Sequence, residues 1–419
     1  MWMKLILLFA VLLSLPALGQ VNGALVSDFK TMLPKHGISP VAEQTFCYNQ
    51  TGTVEGYQVD KLQRIASVTK LLSTFAASET LDLNKIFETK FYISGDRLHI
   101  AGSRDPYFDE DKLMILMKTL NDLGYKSFKT VTFDKNFHFT DVALQAHQEI
   151  TVAHTRLRLA TYLSSKNIKF VRSKWLIAHE FAKEENVDLD KSITPMINAA
   201  TVAISEVNPL LDLAPAIYTH KSKPFHAILK SMNVMSKNVV AHNVFLEAGR
   251  VKKFATLMAE NGIASTSYKI YNGSGLPVKT ASSRTDNLAS CRMVIKIIEL
   301  LDQSLAKHNL TLSDIVAING GKDLGSFRER FLNYPETHEA VISKTGTLMH
   351  SSTLAGVLLI DGNVPFAVLN HTTNVSNAKK FQDSFVSRLF HHLGEAPPMI
   401  YSKISIFPWD GSTFLELSY

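Results

Sequence analysis

The chain has 419 residues, of which 46% are hydrophobic and 20% are charged, and it carries a formal net charge of +6. This composition is too apolar for a disordered chain, and the length is enough for two or three domains with buried cores. The charge is mild and no Lys/Arg run is present, so we expect no nucleic-acid partner. The chain has only two cysteines, Cys47 and Cys291, and their spacing excludes a Cys-x-x-Cys metal site. The sequence is compatible with a disulfide bond between them and equally with two buried free thiols.

The predicted elements in chain order begin with a secretory signal peptide. Lys4 precedes an apolar run from Leu5 to Leu15, and the small residues Ala17 and Gly19 follow. The run is too short to cross a bilayer comfortably, and no later stretch reaches transmembrane length. We therefore predict a signal peptide at residues 1–19 and an exported protein, periplasmic or secreted, without a transmembrane segment.

Hydrophobic periodicity and turn residues predict a mixture of helices and strands in the rest of the chain. The predicted helices are, in order, 24–36, one beginning near Ser67, 109–123, most of 141–190, 225–234, 239–249, 285–301 and 376–393. The predicted strands are 45–48, 57–61, 98–101, 131–133, 340–345, 353–360 and 366–370, with a further hairpin around Asp410-Gly411.

The segment Ser67-Val68-Thr69-Lys70 places a hydroxyl and an amine three residues apart on a predicted helix. Positions i and i+3 share one helix face, so the two side chains can touch. A serine hydroxyl needs a base beside it to act as a nucleophile, and a lysine can be that base when burial or a second cation keeps it neutral. The same spacing recurs at Ser27, Ser304 and Ser376, but only the helix at Ser67 is apolar on all sides.

Two further patterns follow along the chain. Ser236-Lys237-Asn238 is a Ser-x-Asn pattern, which also occurs at Ser165 and Ser231 and alone indicates a loop or helix cap. Lys344-Thr345-Gly346-Thr347 contains the single Lys-Thr-Gly of the chain, on a predicted strand, where a glycine lets a ligand backbone approach. In the order S-x-x-K, S-x-N and K-T-G, the three form the set shared by penicillin-binding proteins and serine β-lactamases.

The sequence resembles the low-molecular-mass class C penicillin-binding proteins, the D-alanyl-D-alanine carboxypeptidases/endopeptidases of peptidase family S13. Further landmarks between residues 60 and 370 carry this resemblance: Gly102–Pro106, Lys223–Asn238, Asn272–Leu276, Gly325–Arg328 and Leu354–Gly356. The departures from the family pattern are Lys237 for Asp, Asn272 for Asp and Pro277 for Ser, and residues 141–200 match nothing in it.

The resemblance implies a role for each site residue in acyl transfer. Ser67 would attack the carbonyl of the penultimate D-Ala while neutral Lys70 takes its proton, with the N–H groups of Ser67 and Thr347 as oxyanion hole. Ser236 and Lys344 would relay a proton to the leaving amine, after which water hydrolyses the acyl-enzyme without a metal or an organic cofactor. The implied substrate-binding residues are Asn238 for the peptide amide and Thr345, Gly346 and Thr347, with Lys344, at the terminal carboxylate.

The resemblance also implies an α/β (α+β) fold of the penicillin-binding-protein/serine β-lactamase type, with a mainly antiparallel sheet between helices. Lys344 would lie on the edge strand and Ser67 would start the central helix. The catalytic domain is expected at residues 20–90 plus 215–395, one inserted accessory domain at 91–214, and a tail at 396–419 that forms the hairpin.

Three alternatives stay open. Glu329–Asn333 spells the Glu-x-x-Leu-Asn pattern of class A β-lactamases, although it lies only 15 residues before Lys344. The fold could also serve as a non-catalytic peptidoglycan-binding module, or its serine could belong to an esterase or D-aminopeptidase. The implied partners are the peptide stems and cross-links of peptidoglycan, with β-lactams as covalent inhibitors at Ser67. The oligomeric state is not indicated.

Overall fold

The structure is a computed structural model that describes residues 16–141, 148–280, 282–320, 323, 325–407 and 414–418. The helices are α1 (Pro16–Lys35), α2 (Thr69–Thr80), α3 (Glu110–Asp122), α4 (Val152–Tyr162), α5 (Ile168–Glu184), α6 (Phe225–Val234), α7 (Asn238–Glu247), α8 (Arg250–Glu260), α9 (Cys291–Ala306) and α10 (Val375–Leu393). In the described part of the chain, every helix is too short or too polar to span a bilayer.

The strands are short except for the last three long ones near the C-terminus. They are β1 (Thr45–Tyr48), β2 (Glu55–Tyr57), β3 (Gln63–Arg64), β4 (Glu88–Ser94), β5 (Arg97–Ala101), β6 (Ser127–Phe133), β7 (Asn198–Ile204), β8 (Ala216–Lys221), β9 (Tyr268–Lys269), β10 (Val278–Lys279), β11 (Arg284–Thr285), β12 (Leu288–Ala289), β13 (Val341–Leu348), β14 (Ser351–Leu359), β15 (Asn363–Asn370) and β16 (Glu416–Ser418).

The chain divides into two compact units. Of the described residues, the first unit contains those up to Ala76, those of Asn233–Ser236 and those of Arg250–Lys403. The second unit contains those of Ala77–Met232, those of Lys237–Gly249 and those from Ile404 onward. The division describes packing within each unit, and the domain boundaries expected from the resemblance stay predictions.

The first unit is built on a five-stranded antiparallel sheet in the order β13-β14-β15-β1-β2. Neighbouring residues of a strand point to opposite faces, and β1 shows what lies on each. Phe46 packs against Phe29 of α1 and Phe385 of α10, whereas Cys47 bonds Cys291 at the start of α9. Helices therefore cover both faces, and β13, which carries Lys344, is an edge strand, as the resemblance implied.

Cys47 and Cys291 form a disulfide bond, with a Cα–Cα distance of 6.0 Å and a sequence separation of 244. This result decides between the two states that the sequence left open. The bond joins strand β1 to the first residue of α9, and both cysteines are fully buried.

The second unit contains a six-stranded sheet in the order β16-β8-β4-β5-β6-β7. The pairs β5–β6 and β6–β7 are parallel and the others are antiparallel. Helices α3 and α5 pack on each other and α4 packs on β7. Fully buried aromatic residues, including Phe133, Tyr162 and Trp175, form the core of this unit.

Several predicted elements have different boundaries in the structure. The strand predicted at 57–61 is wrong, because the extended segments are β2 and β3 on either side of it. The helix predicted from 285 begins at Cys291, because 288–289 pairs with β3 and the Ser290 hydroxyl caps the helix by accepting from the Met293 N–H.

The predicted C-terminal hairpin is also wrong. Residues 401–407 form no strand, and β16 pairs with β8 instead. The predicted turn at Asp410-Gly411 lies outside the described residues.

Candidate active site

Ser67 lies in a 3-10 turn, Ala66–Val68, that leads directly into α2. The helix itself begins two residues later than predicted. Ala66 has a φ of +45°, a left-handed conformation that alanine adopts only where the surroundings hold it. The surroundings are close: a Cβ on Gly346 of β13 would lie 2.9 Å from the Ser67 nitrogen, and a Cβ on Gly275 would lie 1.8 Å from the Ala66 oxygen. Both contacts require glycine, so they fix the turn against β13 and against the 271–277 loop.

The Lys70 amine lies beside the Ser67 hydroxyl, at 3.0 Å from Oγ. It also donates to the Ser274 carbonyl at 2.9 Å, and the Lys70 side chain is fully buried. Burial, and secondarily the charge of Lys344, hold the pKa of Lys70 well below its ordinary value. The first turn of α2 adds the positive end of its dipole. The lowered pKa favours the neutral amine, the form that can accept the proton of Ser67.

A second serine–lysine pair lies in the same unit. Lys344 on β13 donates to Ser236 Oγ and to the Thr345 carbonyl, both at 3.1 Å. Burial lowers the pKa of Lys344 to about 7, so its amine exchanges a proton near neutral pH. Ser236 is half-buried and has a φ of +54°, in a turn between α6 and α7.

Two asparagines for which the sequence predicts no catalytic or binding role, Asn272 and Asn287, stabilise the 271–277 loop. The Asn272 Oδ1 accepts from the backbone N–H groups of Ser274 and Gly275, and its Nδ2 donates to the Leu276 carbonyl. Asn287 donates to the Asn272 carbonyl at 2.8 Å and to Thr69 Oγ1 at 3.2 Å. Asn-x-Ser-Gly is a turn-forming sequence and indicates a loop at these residues, but no pattern marks a backbone carbonyl as the partner of Lys70.

The turn that carries Ser236 is also supported within the first unit. Asn233 donates to Thr74 Oγ1 of α2 at 3.1 Å. A Cβ on Gly325 would lie 2.1 Å from the Val234 carbonyl oxygen, so only glycine fits there. The segment Gly325–Arg328, which is one of the family landmarks, thus packs against Val234, two residues before Ser236.

The remaining candidate residues are placed as follows. Gly346 is buried, Thr345 is 8% exposed, and Thr347 is exposed near the end of β13, where a ligand can reach it. Asn238 is the first residue of α7, in the second unit. The structure thus brings Ser67, Lys70, Ser236 and Lys344 into one unit together with the segment 345–347. These positions identify no role by themselves.

The Glu-x-x-Leu-Asn segment has a packing role in the structure. Arg330 is buried and donates to Asp383 of α10 at 2.6 Å, while Glu329 is exposed. Phe331 is buried with a φ of +63°. The pattern therefore coincides with a turn that anchors α10.

A sequence model of the D-Ala-D-Ala carboxypeptidase 3 (S13) family matches residues 48–150 and 201–390. The chain belongs to this family. The match covers more than half of the chain and confirms both the resemblance and the prediction of a serine hydrolase. No curated protein sequence matches the chain.

Solved structures share the fold. The predatory endopeptidase Bd3459 from Bdellovibrio bacteriovorus, in complex with immunity protein Bd3460, is 24% identical with a TM-score of 0.76; 89% of this chain covers 99% of that one. Its penicillin G-acylated form has a TM-score of 0.72 at 24% identity, with the same coverage of 89% and 99%. Penicillin binding protein 4 from Haemophilus influenzae is 16% identical, with a TM-score of 0.56 and coverage of 87% and 99%. These similarities confirm the predicted fold class.

Proposed function

We propose that this member of the S13 family is an exported D-Ala-D-Ala carboxypeptidase that acts on peptidoglycan stem peptides through an acyl-enzyme on Ser67. The observation that carries the proposal is the 3.0 Å hydrogen bond between Lys70 Nζ and Ser67 Oγ, with the amine buried and its pKa lowered. A half-exposed serine hydroxyl beside a buried lysine is an activated nucleophile. A purely structural site would not need such a pair.

In the proposed acylation, Lys70 takes the proton of Ser67, and Oγ bonds to the carbonyl carbon of the penultimate D-Ala. The N–H groups of Ser67 and Thr347 stabilise the oxyanion, a contribution of about 10²–10³-fold per donor in comparable sites. The C–N bond then breaks, and Ser236 and Lys344 deliver a proton to the leaving amine. Their 3.1 Å contact and the pKa of Lys344 of about 7 suit this transfer.

Before deacylation, the proton that Lys70 took from Ser67 passes to the Ser236–Lys344 pair and replaces the one given to the leaving amine, so Lys70 is neutral again. In the proposed deacylation, Lys70 takes a proton from the water that attacks the ester carbonyl and returns it to Ser67 Oγ as the ester C–O bond breaks and the shortened peptide leaves. Thr345, Thr347 and Lys344 hold the substrate carboxylate, and Asn238 binds the peptide amide. A cross-link between stems also presents a D-Ala carbonyl, so the same steps would give endopeptidase activity. Bd3459 is a predatory peptidoglycan endopeptidase, which supports this second activity.

Export is supported by the signal-peptide pattern of residues 1–19 and by the Cys47–Cys291 disulfide, since such bonds persist in oxidising compartments. The proposed inhibitors are β-lactams, which would acylate Ser67 as an analogue of the substrate. The penicillin G-acylated form of Bd3459 supports this expectation.

Fluorescent penicillin tests the proposal. The wild-type protein should be labelled and gain the mass of one penicillin, Ser67→Ala should not, and Ser376→Ala, which changes an exposed serine with the same spacing to a lysine, should be labelled like the wild type. A wild-type protein that takes no label would overturn the assignment of Ser67. Sustained rapid hydrolysis of penicillin would instead identify a β-lactamase.

Muropeptide digests test the substrate. Mass spectrometry should show loss of D-Ala from a pentapeptide stem and cleavage of cross-linked dimers. Release of D-Ala without cleavage of dimers would restrict the activity to the carboxypeptidase. Labelling by penicillin with neither product would point to the esterase or D-aminopeptidase alternative.

A further inference from the structure

Lys237 is the residue at which the Ser-x-Asn pattern departs from its family, where an aspartate is usual. The structure places its amine among acidic groups of the second unit. Lys237 Nζ lies 2.7 Å from Asp109 Oδ2 and 3.4 Å from Asp111 Oδ2. The side chains of the two aspartates are only 9% and 14% exposed, and the Lys237 side chain is 27% exposed, so water reaches the lysine more than the carboxylates.

Asp109 connects Lys237 to a rigid element. Its other oxygen, Oδ1, caps α3 by accepting from the backbone N–H groups of Asp111 at 3.1 Å and Lys112 at 3.4 Å. One carboxylate thus holds the N-terminus of a helix and the Lys237 amine together. A charge-assisted hydrogen bond of this kind has about twice the strength of a neutral one.

The residues before Asp109 complete the surroundings of Lys237. Its amine lies 5.1 Å from the ring centroid of Tyr107, a cation–π contact. The Tyr107 N–H donates to Asp105 Oδ1, and Asp105 Oδ2 accepts from the fully buried Lys112 at 2.6 Å. Asp105 lies in the Gly102–Pro106 segment, one of the family landmarks. This landmark therefore supports the aromatic ring and the carboxylate that hold Lys237.

The surroundings of Lys237 stabilise its positive charge. Burial alone lowers its pKa, but Asp109, Tyr107 and Asp111 together raise the pKa well above its ordinary value. The residue is also the N-cap of α7, and its backbone N–H donates to the Met232 carbonyl at 3.0 Å. Lys237 is thus fixed through both its backbone and its side chain.

We propose that Lys237, through its ion pairs with Asp109 and Asp111, is a positioning residue that holds the Ser236–Asn238 segment in its reactive geometry. The proposal rests on the proposed function, in which Ser236 relays a proton and Asn238 binds the substrate. Both residues are covalent neighbours of Lys237, so a change in its backbone position moves them directly. A displacement of about 1 Å can reduce a rate by about 100-fold.

The test measures the rate of acylation by fluorescent penicillin at saturation. Lys237→Met keeps the apolar stem and removes the charge, and it should slow acylation by about 10- to 100-fold. Lys237→Arg keeps the charge and should recover most of the rate, which a change in packing alone would not predict. Lys118→Met serves as the matched control, because it removes a lysine of similar exposure, 28%, that pairs with Asp122 on α3, and it should leave the rate unchanged.

A second variant keeps the test decisive if Lys237→Met does not fold. Asp109→Asn retains a good helix cap but removes the charge that Lys237 contacts, and it should also slow acylation. Wild-type rates in folded Lys237→Met or Asp109→Asn would overturn the positioning role, as would a folded Lys237→Arg that is as slow as Lys237→Met. If the wild-type protein itself is not acylated, the proposed function fails instead.

Discussion

The two units of the molecule surround lysine amines with different kinds of oxygen. In the first unit, Lys70 donates to a hydroxyl and a carbonyl, and Lys344 does the same. In the second unit, Lys112 donates to the Asp105 carboxylate and Lys237 to that of Asp109. Lys70, Lys344 and Lys112 are each no more than 2% exposed, so these three lysines are buried to the same extent. They differ in the kind of oxygen atom to which each amine donates.

The difference teaches how one protein uses the same residue type for chemistry and for structure. A neutral oxygen does little to stabilise an ammonium ion in a water-poor site, so burial lowers the pKa of Lys70 and Lys344. Carboxylates favour the charged form, and the pKa of Lys237 is raised. The first arrangement gives Lys344 an amine that exchanges a proton near neutral pH, and the second keeps the Lys237 amine charged.

The largest effect is expected where the proton-accepting lysine is removed. Lys70→Met preserves the buried stem but removes the amine, so Ser67 keeps its proton and acylation by penicillin should fall by about 10²–10⁴-fold. Stopped-flow or time-resolved labelling measures the rate. Lys379→Met, in the Ser376-x-x-Lys379 repeat of the pattern, is the control; Ser376 is exposed and Lys379 is half-buried. A rate within a few-fold of wild type would show that Lys70 is not the base.

A loss of stability is expected where a paired lysine is removed. Lys112→Met leaves the buried carboxylate of Asp105 without its cation and should lower the free energy of unfolding by about 3–5 kcal/mol. Urea titration measures the change. Adding Asp105→Asn should recover much of the loss, because it removes the uncompensated charge. The exposed pair Lys118–Asp122 should cost no more than about 0.5 kcal/mol when Lys118 is changed to Met.

An equal loss in Lys112→Met and in Lys118→Met would contradict the view that burial makes the Asp105 pair important. So would a double variant that is no more stable than Lys112→Met. Either result would place the stability of α3 in its apolar packing rather than in the ion pair.

The contact between Ser67 and Lys70 could be predicted from sequence because it depends on local geometry. Residues three apart on a helical turn share a face, whatever the rest of the fold does. Strands β13, β14 and β15 could also be predicted from sequence, because long apolar runs separated by turn residues are typical of strands. The meeting of Ser236 with Lys344, 108 residues apart, came only from the family resemblance.

The features that sequence could not predict depend on backbone atoms or on distant partners. Any residue could supply the carbonyl that Ser274 offers to Lys70, so no side chain marks it. The pairing of Cys47 with Cys291 depends on the packing of α9 on β1, which two isolated cysteines do not encode. Residues 151–200 lie outside the matched family segments, so no family pattern predicts that they fold as α4, α5 and part of β7.

The smallest expected effect is the pH dependence that the neutral lysines impose on stability. Burial lowers the pKa of Lys344 from an ordinary value of 10.5 to about 7 in the folded protein. Between these values the unfolded chain binds a proton at this site that the folded protein does not. The free energy of unfolding should therefore rise with pH from about 7 upward, by at most about 1.4 kcal/mol per pH unit for this one group.

Comparison with Lys344→Met isolates this contribution from all other titrating groups. Urea titrations at pH 7, 8 and 9 should give a steeper rise in the wild type than in the variant, because methionine has no proton to lose. The matched variant Lys237→Met should not flatten the curve in this range, since Lys237 stays protonated in both states. Parallel curves for the wild type and Lys344→Met would mean that Lys344 is charged in the folded protein, and the contrast between the two units would then be lost at this residue.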